Sequence, residues 1–433
     1  MNISPLESLM AKKLGADSSK PVPFAAIRRY QMDKLAETVA YARRRSPFYR
    51  EKFVGLPWLD GVGEEIFAAL PFTSEEELRQ RGGEMLCVSQ DEVARIITMQ
   101  SSGTTGAPKR LFFSEDDLEQ TLDFFHHGMQ ALVFPGERVL LLLPGKSPDS
   151  AGDLLARGLA RMDVRSRIYG LVADPVEAVQ ELAAHPCEVI LGFPVQILAL
   201  ARCAAALKVD IGRIKSVLLC SDYIPQAVGQ ALSELWQCQV FSHYGTVETG
   251  LGGGVECEAR NGCHLREADL FFEVICSRTG AVLPPGEYGE IVFTTLNRQA
   301  MPLIRYRTGD YGRLLTGSCP CGSNIRRLDQ VRGRINQVRE LENGCNLSMA
   351  DLDETLLPVP GILDFQAVLE RGAKRDQLTL RFTVIPAQAD TVMGEIKSRL
   401  QGLAVLENIS LVLELERSGR IQQGKRIIEE KRT

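Results

Sequence analysis

The sequence predicts an α/β protein: a large N-terminal domain with mixed and parallel sheets and helices plus an antiparallel region, followed by a small α+β C-terminal domain. Strand-like and helix-like segments alternate through residues 138–236, and the pattern restarts after residue 335 in a module of about 100 residues. A chain of 433 residues that is 45% hydrophobic can bury cores for two or three domains. We therefore predict domains 1–335 and 336–433.

The first elements of the large domain are predicted from helical spacing. Residues 24–53 carry apolar side chains three and four positions apart, which indicates an amphipathic helix broken near Pro47. Residues 93–99 then resemble a strand. A loop rich in Gly, Ser and Thr follows and leads into a helix at residues 115–128, so the predicted order is strand, loop, helix.

The middle of the chain alternates between short apolar strands and helices, which is typical of parallel βαβ units. The predicted strands are residues 138–143, 187–191 and 217–220, and the predicted helices are residues 152–161, 194–206 and 225–236. Residues 270–275 and 289–295 instead alternate apolar and polar side chains, which predicts the antiparallel region. The C-terminal module is predicted to contain helices at residues 350–357 and 390–400 and strands at 365–369, 377–384 and 409–415.

Composition limits the partners and the compartment. A net charge of -5 and a pI near 5.8 provide no positive field, so we expect no nucleic-acid partner. No apolar run approaches the ~18 residues of a membrane helix, and residues 1–15 lack a signal-peptide pattern. We therefore expect a cytoplasmic protein without a membrane partner, whose eleven cysteines are thiols or metal ligands rather than disulfides.

A loop of glycines and hydroxyl side chains is the strongest local signal. It consists of Ser101, Ser102, Gly103, Thr104, Thr105, Gly106, Ala107, Pro108 and Lys109. Glycine lets backbone N–H groups approach phosphate oxygens, the hydroxyls donate hydrogen bonds, and Lys109 adds positive charge, so the loop predicts a polyphosphate site. It does not fit the GxxxxGK[ST] pattern. The alternative is a flexible Ser/Gly loop without a ligand.

This loop resembles the SSGTTGxPK phosphate loop of the adenylate-forming superfamily of acyl-CoA synthetases. The sequence HYGTVE then resembles that superfamily's YGxTE, which implies that Tyr244 lies against adenine and that Glu248 helps to hold magnesium. An aromatic face and a hard oxygen ligand suit these roles. The nucleotide-binding residues implied by the two motifs are Ser101, Ser102, Gly103, Thr104, Thr105, Gly106, Tyr244, Gly245 and Thr246.

Three later segments extend the resemblance in the expected order. RYRTGD resembles YRTGD, which implies that Asp310 binds the ribose hydroxyls. GRIN resembles the interdomain GRxD, which implies that Arg334 contacts the nucleotide and that Asn336 replaces the usual hinge aspartate; Asn also tolerates unusual backbone angles. QGK near the C-terminus resembles the GK whose lysine, here Lys425, reaches the carboxylate and α-phosphate. Taken alone, such a lysine is usually a solvated side chain.

The chain most resembles the phenylacetate-CoA ligase branch, through SPFYR, LPFT and TTLNRQAMPLIRYRTGD, and the resemblance covers nearly the whole chain. It implies ATP-dependent activation of a small carboxylic acid with magnesium, then transfer to coenzyme A. The implied catalytic residues are Lys109, Glu248 and Lys425. Aryl acids, such as phenylacetate-like ones, and small aliphatic acids both remain open, as does a carrier-protein thiol as acceptor. The branch also makes a homodimer compatible with the sequence.

Two other functions fit the same motifs. Enzymes related to coenzyme F390 synthetase belong to this branch, so the chain could transfer AMP to another acceptor without a CoA site. A non-catalytic nucleotide sensor would bind ATP without releasing pyrophosphate. The presence of Lys109, Glu248, Asp310 and Lys425 argues against the sensor.

A cysteine and histidine cluster predicts a metal site. Cys257 and His264 precede a CxCG pair formed by Cys319 and Cys321, and many members of the branch share this pattern. Three thiolates and an imidazole suit tetrahedral zinc, and four protein ligands leave no open position, so this zinc would be structural. Cys263 is a competing ligand. The alternative is a group of unligated thiols.

Overall fold

The computed structural model describes residues 3–56, 64–99, 108–372 and 375–432. The helices are α1 (Pro5–Leu14), α2 (Phe24–Arg45), α3 (Pro47–Lys52), α4 (Glu64–Ala68), α5 (Glu75–Arg81), α6 (Glu115–Met129), α7 (Ala151–Ala160), α8 (Pro175–Ala184), α9 (Pro194–Leu207), α10 (Gln226–Trp236), α11 (Met349–Leu356) and α12 (Ala389–Gln401). None of them, within the described ranges, is long and apolar enough to cross a membrane.

The strands are short in the first three quarters of the chain and longer in the C-terminal module. They are β1 (Arg95–Met99), β2 (Lys109–Phe113), β3 (Arg138–Leu142), β4 (Arg165–Ile168), β5 (Val189–Gly192), β6 (Ser216–Leu219), β7 (Gln239–Tyr244), β8 (Gly254–Glu256), β9 (Cys263–Leu265), β10 (Leu270–Ile275), β11 (Gly289–Thr295), β12 (Tyr306–Gly312), β13 (Arg327–Leu328), β14 (Arg339–Glu340), β15 (Asn346–Leu347), β16 (Ile362–Arg371), β17 (Gln377–Val384), β18 (Ser410–Leu415) and β19 (Ile428–Arg432).

The chain divides into two compact units. The first comprises residues 1–132, 157–162 and 243–331, and the second comprises residues 133–156, 163–242 and 332–433. The predicted C-terminal module is thus grouped with the α/β segment that precedes residue 243. The predicted domain boundary between residues 335 and 336 stays a prediction.

The second unit is built on parallel strands. β3 pairs with β4 and β5, β5 pairs with β6, and β6 pairs with β7, all in parallel. Strands such as VILG and SVLL are buried along their whole length, as expected where helices cover both faces of a parallel sheet. The predicted βαβ alternation is confirmed.

The C-terminal module of the second unit contains a sheet with the order β18-β17-β16-β19. β16 and β17 are antiparallel, and each outer strand is parallel to its neighbour. Helix α9 packs against β16, and apolar residues of both belong to one hydrophobic core. Buried Arg202 of α9 donates hydrogen bonds to the carbonyls of Ile362 and of Leu357, the latter at 2.6 Å, and so closes the C-terminal end of α11.

The first unit combines helices with antiparallel sheets. β10, β11 and β12 form one sheet, in which Leu270 pairs with Thr295 and Ile275 with Glu290. The predicted antiparallel region is therefore confirmed. β8, β9 and β13 form a second antiparallel group.

The predicted order of strand, loop and helix after residue 93 is wrong in one respect. The segment KRLFF forms β2, which pairs with β1 in antiparallel register before α6 begins. Its alternate residues Lys109, Leu111 and Phe113 are buried, and this period of two is the signal that sequence reasoning missed. Ser114 then caps α6 in a capping box with Asp117.

Candidate active site and cysteine cluster

A buried lysine and glutamate form the centre of the candidate site in the first unit. Lys109 is 5% exposed, and its Nζ forms an ion pair with Oε1 of Glu248, which is 3% exposed. Nζ also lies 3.2 Å from Oε1 of Glu75, and the Tyr306 hydroxyl donates a 3.2 Å hydrogen bond to Oε1 of Glu248. Charges this deeply buried are stable only when paired, so any change at one of them affects the other.

A tight loop after β7 positions Glu248. Within residues 245–253, Thr246 and Thr249 exchange hydrogen bonds, including a 3.0 Å bond from the Thr246 backbone N–H to the Thr249 hydroxyl. Arg298 donates a 2.6 Å hydrogen bond to the backbone carbonyl of Glu248. Hydrogen bonds to both the backbone and the side chains therefore hold this loop, and they fix the direction of the Glu248 side chain.

A tyrosine and an aspartate meet next to this loop. The Tyr244 hydroxyl, at the end of β7, donates a 3.0 Å hydrogen bond to Oδ2 of Asp310 on β12. The backbone N–H of Asp310 donates to the Thr308 hydroxyl at 3.0 Å. The intervening Gly309 has a φ of 73°, a backbone angle that favours glycine. The structure thus brings Tyr244 and Asp310 together, and their contacts with adenine and ribose stay predictions.

Glu75, Tyr306 and Arg298 belong to this centre but were not predicted from the sequence. Glu75 is the first residue of α5, where an acidic side chain is already explained by the helix dipole. Tyr306 lies within the RYRTGD motif, so its position was a usable signal. Arg298 has no local signal, because its partner Glu248 is 50 residues away.

The other predicted nucleotide residues fall into two groups. The predicted phosphate-loop residues 101–106 lie outside the described residues. Arg334, Asn336 and Lys425 belong to the second unit. Arg334 precedes the short turn Ile335–Gln337, and the left-handed backbone angle in this segment occurs at Gly333, with φ 119°, rather than at Asn336.

Lys425 is exposed, but the next residue, Arg426, is buried and is held by buried carboxylates. Arg426 donates a 2.8 Å hydrogen bond to Asp353 and pairs with Asp364, while its backbone N–H donates to Asp222 at 2.9 Å. Burial raises the pKa of Asp353 to about 6 and also raises the pKa of Asp222, with Arg426 opposing both shifts. This cluster holds the backbone next to Lys425 in the second unit.

The predicted cysteine cluster is assembled in the first unit. The ligand atoms of Cys257, His264, Cys319 and Cys321 lie within 4.8 Å of one another, and all four residues are buried. The sulfurs of Cys257 and Cys319 are 3.7 Å apart, and Cys321 Sγ is 3.4 Å from His264 Nε2. Tetrahedral zinc with Zn–S near 2.3 Å would separate two sulfurs by about 3.8 Å, so the donor set and its spacing fit zinc.

Cys263 lies outside this group. It pairs with Glu256 across the β8–β9 ladder, and its neighbour His264 points to the opposite side of the strand. Burial raises the pKa of the Cys263 thiol. In Cys321 burial is the largest single influence and acts in the same direction, but the hydrogen bond with His264, the backbone hydrogen bond at Ser323 and the charge of His264 together outweigh it, so the pKa is lowered. The geometry therefore favours Cys321 over Cys263 as a thiolate.

No protein-family model matches the chain. The chain is 28% identical over 380 residues to the phenylacetate-coenzyme A ligase of Thermus thermophilus, covering 84% of this chain and 82% of that protein. It is 26% identical over 402 residues to the Pseudomonas putida enzyme of the same name, covering 87% and 88%. The predicted resemblance to this branch is confirmed.

Solved structures show the same fold. A 2-hydroxyisobutyryl-CoA ligase in the postadenylation state with 2-HIB-AMP matches with a TM-score of 0.76 at 21% identity, covering 93% of this chain and 91% of that one. ATP-bound MatB from Rhodopseudomonas palustris matches with a TM-score of 0.53 at 18% identity, covering 78% and 68%. The predicted α/β fold class is confirmed.

Proposed function

We propose that this protein uses ATP to activate a carboxylic acid as an acyl adenylate and then transfers the acyl group to coenzyme A, releasing AMP and pyrophosphate. The observation that carries the proposal is the buried Lys109 and Glu248 pair, joined by one loop and by β12 to the Tyr244 and Asp310 pair. Similarity to phenylacetate-coenzyme A ligases over more than four fifths of the chain supports the same reaction.

In the first step, a carboxylate oxygen bonds to the α-phosphorus of ATP while the bond to pyrophosphate breaks. Negative charge grows on the phosphate oxygens, and a cation that is already in place stabilises it without reorganisation. Lys109 supplies that cation. Magnesium held at Glu248 would supply further positive charge. If Glu248 binds magnesium instead of pairing with Lys109, Glu75 remains as a second carboxylate partner for the lysine.

In the second step, the thiol sulfur attacks the acyl carbonyl carbon, the bond to AMP breaks, and the thiol proton is released. We assign Lys425 to the first step only, because the resemblance of QGK to the GK motif implies that this lysine reaches the α-phosphate during adenylation. Coenzyme A is the proposed acceptor, since the named relatives are coenzyme A ligases. An aryl acid, a cytoplasmic location and a homodimer stay predictions.

The experiment that tests this function is product analysis with Mg-ATP, coenzyme A and a panel of aryl and aliphatic acids. We expect acyl-CoA, AMP and pyrophosphate in equal amounts with at least one acid. Lys425→Ala should slow pyrophosphate release by about 100-fold or more, because it removes a cation at the reacting phosphate. Thioester formation from supplied acyl adenylate should change far less. An adenylylated product without thioester would instead support an AMP transferase.

We also propose that Cys257, His264, Cys319 and Cys321 hold a structural zinc ion. The support is their burial and their mutual spacing. Metal bound only by the folded state stabilises that state, and loss of such a site costs on the order of 4 kcal/mol.

Metal analysis and denaturant unfolding test this zinc site. We expect about one zinc per chain in the purified protein, loss of the metal in Cys321→Ser, and a lower free energy of unfolding in that variant. Cys263→Ser is the matched control and should keep its zinc, although the buried hydroxyl itself lowers stability. A metal-free wild-type protein that unfolds with the same midpoint as Cys321→Ser would contradict the proposal.

A further inference from the structure

The loop that carries Lys425 is held by hydrogen bonds rather than by regular secondary structure. Residues 416–427, all within the described part of the chain, connect β18 to β19 without forming a helix or a strand. Residues 423–425 are exposed, so burial contributes little to their placement. The position of the Lys425 backbone therefore depends on the polar contacts of this loop with the rest of the second unit.

The first of these contacts join the loop to the segment that follows β4. The backbone N–H of Ile421 donates a 3.0 Å hydrogen bond to the carbonyl of Ala173. The Gln423 side chain donates a 3.1 Å hydrogen bond to the carbonyl of Leu171. Both acceptors lie beyond the carboxyl end of a strand of the parallel sheet, so the loop approaches the sheet from that edge.

Gln196 of α9 lies between these two segments. It is 2% exposed, and its Oε1 accepts a 2.9 Å hydrogen bond from the backbone N–H of Val172. Its Nε2 donates a 3.3 Å hydrogen bond to the carbonyl of Gln422. One partner is a donor and the other is an acceptor, so only one orientation of the amide satisfies both. A single buried side chain thus holds the backbone three positions before Lys425.

Asp222, which follows β6, holds the backbone on the other side of the lysine. Its Oδ2 accepts a 2.9 Å hydrogen bond from the backbone N–H of Arg426, and its Oδ1 accepts one of 2.9 Å from the backbone N–H of Tyr223. The N–H of Arg426 belongs to the peptide bond that joins it to Lys425. The carboxylate therefore uses one oxygen to stay in place and the other to fix the backbone from which the lysine side chain extends.

We propose that Gln196 and Asp222 are positioning residues for Lys425 in the adenylation step. A cation that is held in place before the reaction stabilises the growing charge without reorganisation, so contacts that fix its backbone contribute to the rate. The inference rests on the proposed role of Lys425 and adds the residues on which that role depends. Because Lys425 is assigned to the first step only, loosening its loop slows that step and spares the second.

The test measures the two half-reactions separately in Gln196→Met and Asp222→Asn. Methionine keeps the length of the side chain and removes both hydrogen bonds, whereas asparagine offers one acceptor oxygen in place of two. We expect each variant to slow acid-dependent pyrophosphate release by about 10-fold and to change thioester formation from supplied acyl adenylate by less than about 2-fold. Gln366→Met, at an exposed position of β16, is the control and should change neither rate.

A double-variant comparison separates positioning from a general loss of structure. If Gln196 acts through Lys425, adding Gln196→Met to Lys425→Ala should slow pyrophosphate release little further. Urea unfolding shows whether each variant is folded under the assay conditions, and Asp222→Asn carries the test if Gln196→Met is not.

Three results would overturn the inference. Equal slowing of both half-reactions, or the full 10-fold loss of Gln196→Met in the Lys425→Ala background, would show that these residues act on structure in general. Unchanged pyrophosphate release in both Gln196→Met and Asp222→Asn would show that the loop does not depend on them. Each of these leaves the proposed function intact. If Lys425→Ala itself slowed nothing, the proposed role of Lys425 would fail, and this inference with it.

Discussion

Replacing Glu248 with glutamine is expected to slow acyl-adenylate formation by about 100- to 1000-fold. The amide keeps the shape of the side chain and removes its charge. Lys109 then loses its buried partner, and the site loses its carboxylate for magnesium. The measurement is acid-dependent exchange of pyrophosphate into ATP at saturating magnesium, compared with the wild-type protein.

Two further glutamates on α5 provide graded controls. Glu75→Gln removes the second carboxylate near Lys109, which is about one-third exposed, and should cost about 10-fold or less. Glu76→Gln alters an exposed residue whose partner is Gln80 and should change nothing. If Glu248→Gln were no slower than Glu75→Gln, the assignment of Glu248 to the reacting phosphates would be wrong.

Replacing Arg426 with methionine is expected to destabilise the second unit by about 3 to 5 kcal/mol at pH 7. The change leaves Asp353 and Asp364 buried without their cation. Arg426→Lys keeps the charge but loses the forked geometry, so its loss should be smaller. Urea unfolding of both variants and of the wild-type protein measures the difference.

The loss in Arg426→Met should also depend on pH. Burial raises the pKa of Asp353 to about 6, above the 3.8 of an unperturbed Asp, so its charged form already costs stability above pH 6. Without Arg426 that pKa rises further, because Arg426 favours the charged carboxylate and neighbouring Asp222 and Asp364 oppose it. The destabilisation should therefore be smaller at pH 5 than at pH 7. Equal losses at both pH values would contradict this account of the cluster.

Local sequence patterns predicted the elements whose apolar spacing is regular. β17 was predicted at its observed bounds, and α9 and α12 within a residue or two, because their periodicity is uninterrupted. β12 was not predicted as a strand, since RYRTGD is rich in charge and contains glycine. The arginines of this segment are neutralised by residues that are distant in sequence: Arg305 pairs with Glu273, and Arg307 with Glu290. Such pairing is invisible in a local window.

In the candidate site too, local patterns predicted the residues but not the contacts between residues that are distant in sequence. Motifs identified Lys109, Tyr244, Glu248 and Asp310, but not which of them touch one another. Glu75 reaches Lys109 from 34 positions away, through the packing of α5 against β2. The cysteine cluster was predicted because its spacing and residue types are themselves the signal.

The measurement that tests the central claim most directly is exchange of labelled pyrophosphate into ATP by the purified wild-type protein, with magnesium and each acid in turn, in the absence of coenzyme A. The account predicts exchange that requires an acid and that is followed by acyl-CoA formation when coenzyme A is added. ATP binding without acid-dependent exchange, for every acid in the panel, would contradict it.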